Sequence, residues 1–214
     1  MPVRRDIIIW ILNETVDRKA ENGMKTIMIF AQILGFVAAA IEISSFQWKD
    51  SKKLFLMQII FMSVFSVHYL LLAAENPSAY TGVLLNLAGI VRAVFLFFGD
   101  RKWARSRIAL IGIMLLMAVC GIVTWEGWIS LLPTAAAVVG TPFLWTRNGK
   151  TLRLAQLFLI SPCWLVYNAI VFSVAGVLTV SFDMVSVIVS ICRFGLKGLD
   201  YSMELQTENK TEKN

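Results

Sequence analysis

Trp164, Tyr167 and Asn168 stand at i, i+3 and i+4 within an apolar run, so in a helix they share one face. His68 and Tyr69 fall at the corresponding place in an earlier run, Asn86 in the run after that, and Asp183 in the last one. Polar side chains inside lipid are costly and are functional candidates by default. The chemistry these residues suit is recognition of a small polar solute through aromatic faces, amides and one carboxylate. Covalent chemistry is not expected. The chain has one His, no Ser–His–Asp spacing and no His/Glu cluster, so it lacks the pattern of a nucleophile with its base or of a metal pair. Cys120, Cys163 and Cys192 lie inside apolar runs without Cys-x-x-Cys spacing, so no zinc or iron–sulfur site and no cofactor is expected.

Each candidate also has a plainer reading. Tyr and Trp near a membrane edge serve as interfacial anchors. Asn often bonds between helices for only ~0.6 kcal/mol. A lone His such as His68 is commonly a hydrogen-bonded packing residue. Asp183 is harder to dismiss: it sits roughly 10 Å inside its run at ~1.5 Å per residue, and it needs a partner, water or a proton. Towards the other end of their runs, Glu42 and Arg92 fall at comparable depth. Two readings fit them, a structural ion pair between neighbouring helices or a gate that breaks and re-forms.

The elements that must position these residues follow from composition. The 214 residues are 57% hydrophobic and 16% charged, with a mean hydropathy of +0.70, outside the usual range of soluble domains. A helix crossing a bilayer takes ~20 apolar residues, with ~17 enough in thin regions. Seven segments reach that length: Thr26–Gln47, Leu54–Leu72, Thr81–Phe98, Ile108–Trp125, Trp128–Trp145, Leu154–Phe172 and Val177–Arg193. The expected fold is all-α, a polytopic membrane protein embedded in the lipid bilayer.

The net charge of +6 sets orientation rather than nucleic-acid binding. Lys49, Lys52 and Lys53, then Arg101, Lys102, Arg105 and Arg107, then Arg147, Lys150 and Arg153 occupy alternate loops, while the loops between them carry no Lys or Arg. The positive-inside rule makes the basic loops cytoplasmic, with the N-terminus outside and the C-terminus inside. Arg4, Arg5, Arg18, Lys19 and Lys25 run against that assignment, and the alternation of six short loops outweighs them. Residues 1–25 form an arm in which Ile7–Leu12, with Trp10, suits a short helix on the outer surface; residues 197–214 form a polar tail expected to be disordered.

An internal repeat orders the spans. Lys-x-Leu-x-Leu-x-Gln occurs at Lys52–Gln58 and, 98 residues later, at Lys150–Gln156. At the same offset Ser63 matches Ser161 and Tyr69 matches Tyr167; with three residues gapped, Arg92 matches Arg193. Residues 26–98 then form one three-helix unit and 128–196 the second. Residues 99–127 supply a basic loop and a linker helix facing lipid. An odd linker keeps the two units parallel, an arrangement used by transporters with a pathway at the repeat interface. Small residues at corresponding places, Gly35 with Ala38–Ala40 and Ala135–Ala137 with Gly140, favour close helix contact. Two functions remain: a transporter or facilitator of a small polar solute through His68, Asn86, Trp164, Asn168 and Asp183, or a non-transporting membrane scaffold or assembly factor.

Ala31-Gln-Ile-Leu-Gly35, Cys163-Trp164-x-x-Tyr167-Asn168 and Arg193-Phe194 resemble the YgjV family of bacterial inner-membrane proteins, over about residues 28–196. The resemblance implies the bacterial inner membrane and little chemistry. The 3+1+3 layout looks like the SWEET, PQ-loop and PnuC group, whose members often assemble as homo-oligomers. Two departures stand out. There is no Pro-Gln dipeptide, and Pro133, Pro142 and Pro162 all lie in the second unit, without counterparts in the first.

Overall fold

A computed structural model describes residues 3–45, 51–99, 101–146 and 148–198. Its regular elements are helices: α1 (Val3–Ser45), α2 (Ser51–Leu72), α3 (Ala79–Phe97), α4 (Arg107–Val123), α5 (Trp128–Thr146), α6 (Gly149–Ala155), a π-helical turn (Gln156–Ile160), α7 (Ser161–Ile170) and α8 (Val174–Gly198). The protein is all-α. Stretches of α1, α2, α3, α5 and α8 are long and apolar enough to cross a membrane, and α4, with 17 residues, is a shorter apolar helix. The tail beyond Gly198 lies outside the described residues.

Two expectations about the elements change. The arm is not a separate surface helix, because α1 runs unbroken from Val3. Its charged stretch keeps helical register through exposed i, i+4 pairs, Glu14 with Arg18 (2.6 Å) and Glu21 with Lys25 (2.7 Å), each worth a few tenths of a kcal/mol. At 43 residues α1 is ~65 Å long, about twice the ~30 Å hydrocarbon core. The sixth expected span, Leu154–Phe172, is likewise not one α-helix but α6, the π-turn and α7 in succession. Pro162 supplies the reason. It has no N–H to give the carbonyl four residues back, and its ring would clash there. The backbone takes one wider turn instead, in which Ser161 N donates to Gln156 O.

Packing closes a ring. α1 touches α2, α2 touches α3, α3 touches α5, α5 touches α7, α7 touches α8, and α8 returns to α1. Helix α4 stands outside, against α3 and α5. One face of α4 (Ile108, Ile111, Leu115, Val119, Ile122) and one of α8 (Val174, Leu178, Phe182, Val185, Val189) are exposed and apolar, as lipid contact requires. Two cores hold the ring. Ala31, Phe65, Tyr69, Leu72, Tyr167 and Val171 join α1, α2 and α7; Leu85, Ala88, Ile113, Met117 and Ala137 join α3, α4 and α5.

Polar contacts fasten the loops at one end. Gln32 reaches from α1 to the α7–α8 turn, where its Nε2 donates to Phe172 O (2.8 Å) and its Oε1 accepts from Ala175 N (3.3 Å). Phe172 sits there at φ 57°, a conformation uncommon for a bulky residue. Thr81 on α3 donates to Thr124 O (2.8 Å) and shares a hydrogen bond with Ser130 (2.9 Å), which pins the α4–α5 loop.

Candidate functional site

Two tyrosines cross the ring at the end held by those loops. Tyr69, from α2, donates its hydroxyl to Asn168 Oδ1 on α7 at 2.6 Å. The Tyr167 hydroxyl, from α7, donates to Ser78 O (2.9 Å) and accepts from Gly82 N (2.8 Å) at the start of α3. The two rings pack at 5.9 Å, tilted by 55°, and Trp164 meets Tyr167 edge-on at 5.6 Å. Glycine makes this closure fit. A Cβ on Gly82 would lie 2.8–2.9 Å from the Tyr69 ring and the Tyr167 hydroxyl, and one on Gly176 would strike Asn168 Oδ1.

Behind the tyrosines the ring surrounds a partly open cavity of about 180 Å³. That far exceeds the ~10–15 Å³ one water needs and is smaller than the ~300–1,000 Å³ of drug-sized pockets. Its walls carry Asn86 and Arg92 from α3, Trp164 and Asn168 from α7, and Asp183 from α8, with Glu42 from α1. Gln58 on α2 and Gln156 in the π-turn also line it. Gln156 Nε2 donates to Ser161 Oγ at 3.0 Å, across the wide turn. Asn86 Nδ2 donates back to Gly82 O (2.8 Å), which leaves its carbonyl oxygen uncommitted by that bond.

Of the residues singled out as a pathway, the structure brings Asn86, Trp164, Asn168 and Asp183 to this cavity, and His68 to another place. His68 is fully buried between α1 and the α7–α8 turn. Its Nδ1 lies 2.6 Å from Ala31 O and its Nε2 lies 2.7 Å from Ser173 Oγ. A carbonyl only accepts, so in the neutral ring Nδ1 carries the proton and Nε2 accepts from Ser173. Both ring nitrogens are engaged in packing.

Glu42 and Arg92 both line the cavity, but Arg92 makes no ion pair with Glu42. Its one hydrogen bond among the described residues runs from Nη1 to Thr141 Oγ1 at 3.2 Å. The cause is helix order, since α2 stands between α1 and α3 in the ring. Glu42 instead lies close enough to Asp183 for the two carboxyls to interact electrostatically. Parallel neighbours explain that meeting. Gly35 on α1 abuts Ala175 on α8, and seven and eight residues further on, roughly 10–12 Å at ~1.5 Å each, the same two helices present Glu42 and Asp183.

Some contributors were hidden in the sequence. Ser173 and Gly176 carry no motif and read as ordinary loop residues, and Gln32 stands out only as part of the Ala31–Gly35 stretch, with no role attached. Ser161 had a signal through its place in the repeat. The arrangement as a whole offers hydrogen bonds, charges and aromatic faces around one cavity.

A ring of apolar helices around a polar cavity defines a polytopic α-helical membrane protein. The chain belongs to the Imp-YgjV family, bacterial inner membrane proteins, whose model matches residues 29–197. No curated protein and no solved structure matches it. The likeness of layout to the SWEET, PQ-loop and PnuC group gains no support from these comparisons.

Proposed function

We propose that the chain is a non-enzymatic transporter or facilitator of a small polar solute in the bacterial inner membrane, with the cavity as part of its pathway. The observation that carries this is the cavity inside the helix ring lined by Asn86, Arg92, Trp164, Asn168, Asp183 and Glu42. Lipid-embedded proteins ordinarily avoid such a concentration of polar groups unless they serve a pathway. The finer architecture belongs to the same reading: two parallel three-helix units, residues 26–98 and 128–196, joined through α4. Two matched pairs of the repeat support it, since Gln58 and Gln156 both line the cavity while Tyr69 and Tyr167 touch. With the basic loops in the cytoplasm, the tyrosines form the outer closure. The cavity then lies on their cytoplasmic side.

The test is uptake by proteoliposomes together with folded yield. Trp164→Ala and Asp183→Ala are expected to abolish uptake while leaving the yield of folded protein near that of the parent. If both substitutions chiefly lower the yield, and no solute is taken up by the parent, the polar residues are helix glue and the scaffold reading holds.

A further inference from the structure

The charges of the cavity are separated by wall. Glu42 on α1 and Asp183 on α8 stand on adjacent helices and interact with each other. Arg92 comes from α3, which touches neither α1 nor α8 and lies across the ring from α8. Taking the tyrosine closure as the reference level, Asp183 is seven residues past Gly176 and Arg92 is ten past Gly82. That places them ~10 and ~15 Å deep, at ~1.5 Å per residue. By helix position Arg92 thus stands across the ring from the acids, about one turn further along.

Both walls have unused capacity. A guanidinium carries five N–H donors, and Arg92 commits one hydrogen bond, to Thr141, among the described residues. Asp183 Oδ1 is shielded from solvent and accepts no hydrogen bond among the described residues. Charges placed this way in a membrane are costly, and the helix order keeps them from neutralising each other. A cation alone would leave Arg92 unmatched, an anion alone would leave Asp183, and a neutral sugar would leave both.

We propose that the cavity binds a small zwitterion, its ammonium group held at Glu42 and Asp183 and its carboxylate at Arg92. This rests on the transporter reading and names the substrate class of the same site. Asn86, Gln58 and Gln156 supply neutral hydrogen-bonding groups to the same space. The modest volume suits a ligand of about amino-acid size.

Thermal unfolding of the purified full-length protein tests it, with glycine, β-alanine, γ-aminobutyrate, methylammonium, acetate and glucose as probes at equal millimolar concentration. At least one zwitterion is expected to raise the Tm by several degrees, while methylammonium, acetate and glucose do not. Asp183→Asn and Arg92→Gln should each remove that rise. Arg92→Lys, which keeps the charge without the planar fork, should retain a reduced one and guards against a folding defect in Arg92→Gln. A rise that survives both Asp183→Asn and Arg92→Gln overturns the assignment. Stabilisation by glucose with no response to any zwitterion overturns the substrate class and leaves the transporter reading standing. If no probe stabilises the parent and proteoliposomes take up none of them, the transporter reading falls with it.

Discussion

The rings of Tyr69 and Tyr167 pack 5.9 Å apart although 98 residues separate them in the chain. They occupy matching places in the two copies of the repeat, yet their hydroxyls do different work. Tyr69 bonds a side chain, Asn168, and Tyr167 bonds the backbone of the α2–α3 corner and of α3. A pair equivalent in sequence has become an asymmetric closure.

That asymmetry sets an order of stabilities. Tyr69→Phe removes one hydrogen bond to an amide that faces the cavity, and should cost about 0.5–1 kcal/mol. Tyr167→Phe leaves the Gly82 N–H without its acceptor at a buried site, and should cost about 1–3 kcal/mol. Thermal unfolding of the two variants in one detergent decides the order; a larger loss for Tyr69→Phe contradicts the geometry.

Glycine substitutions probe the same closure from the backbone side. Gly82→Ala forces a Cβ into the tyrosine pair and should lower stability by about 1–3 kcal/mol. Gly112→Ala, on α4 with nothing within 4 Å, should leave stability unchanged or raise it by up to ~1 kcal/mol. Equal effects at the two positions would mean that the tyrosines do not approach α3 as described.

His68 separates packing from binding. His68→Ala strips the partners from Ala31 O and Ser173 Oγ, so it should cost about 1–3 kcal/mol. Because His68 does not line the cavity, any Tm rise produced by a solute should persist in this variant. Loss of the solute response at unchanged stability would place His68 in the pathway after all.

Pro162→Ala tests the π-turn. Restoring an N–H at 162 allows the α-helical ladder to close, which would rotate Gln156 and Ile160 relative to Asp183 and Trp164. Stability should be unchanged or higher, while solute-induced stabilisation should weaken severalfold. A full solute response in Pro162→Ala would show that the wide turn has no part in shaping the cavity.

Much of this molecule was legible in its chain. Apart from the N-terminal extension of α1 and the break in the sixth run, apolar runs locate the helices to within about five residues, because a membrane helix must satisfy its own backbone and needs a fixed length to do so. The exposed apolar face of α4 follows from the same cause. The π-turn was not legible, although Pro162 was visible. A proline can kink a helix, end it or widen it, and neighbouring packing selects among these.

The candidate site divides along a similar line. Sequence alone determined which residues are polar within apolar runs and roughly how deep each lies, since depth follows from counting residues along a helix. It ranked His68, Asn86, Trp164, Asn168 and Asp183 together, and the cavity is lined by all of them except His68. Depth is one coordinate, and the other two, which way a side chain faces and which helix stands beside it, come only from the closed ring. Counting paired Glu42 with Arg92 because their depths agree. The tertiary structure set α2 between their helices, laid α1 parallel against α8, and so brought Glu42 to Asp183 and left Arg92 across the cavity.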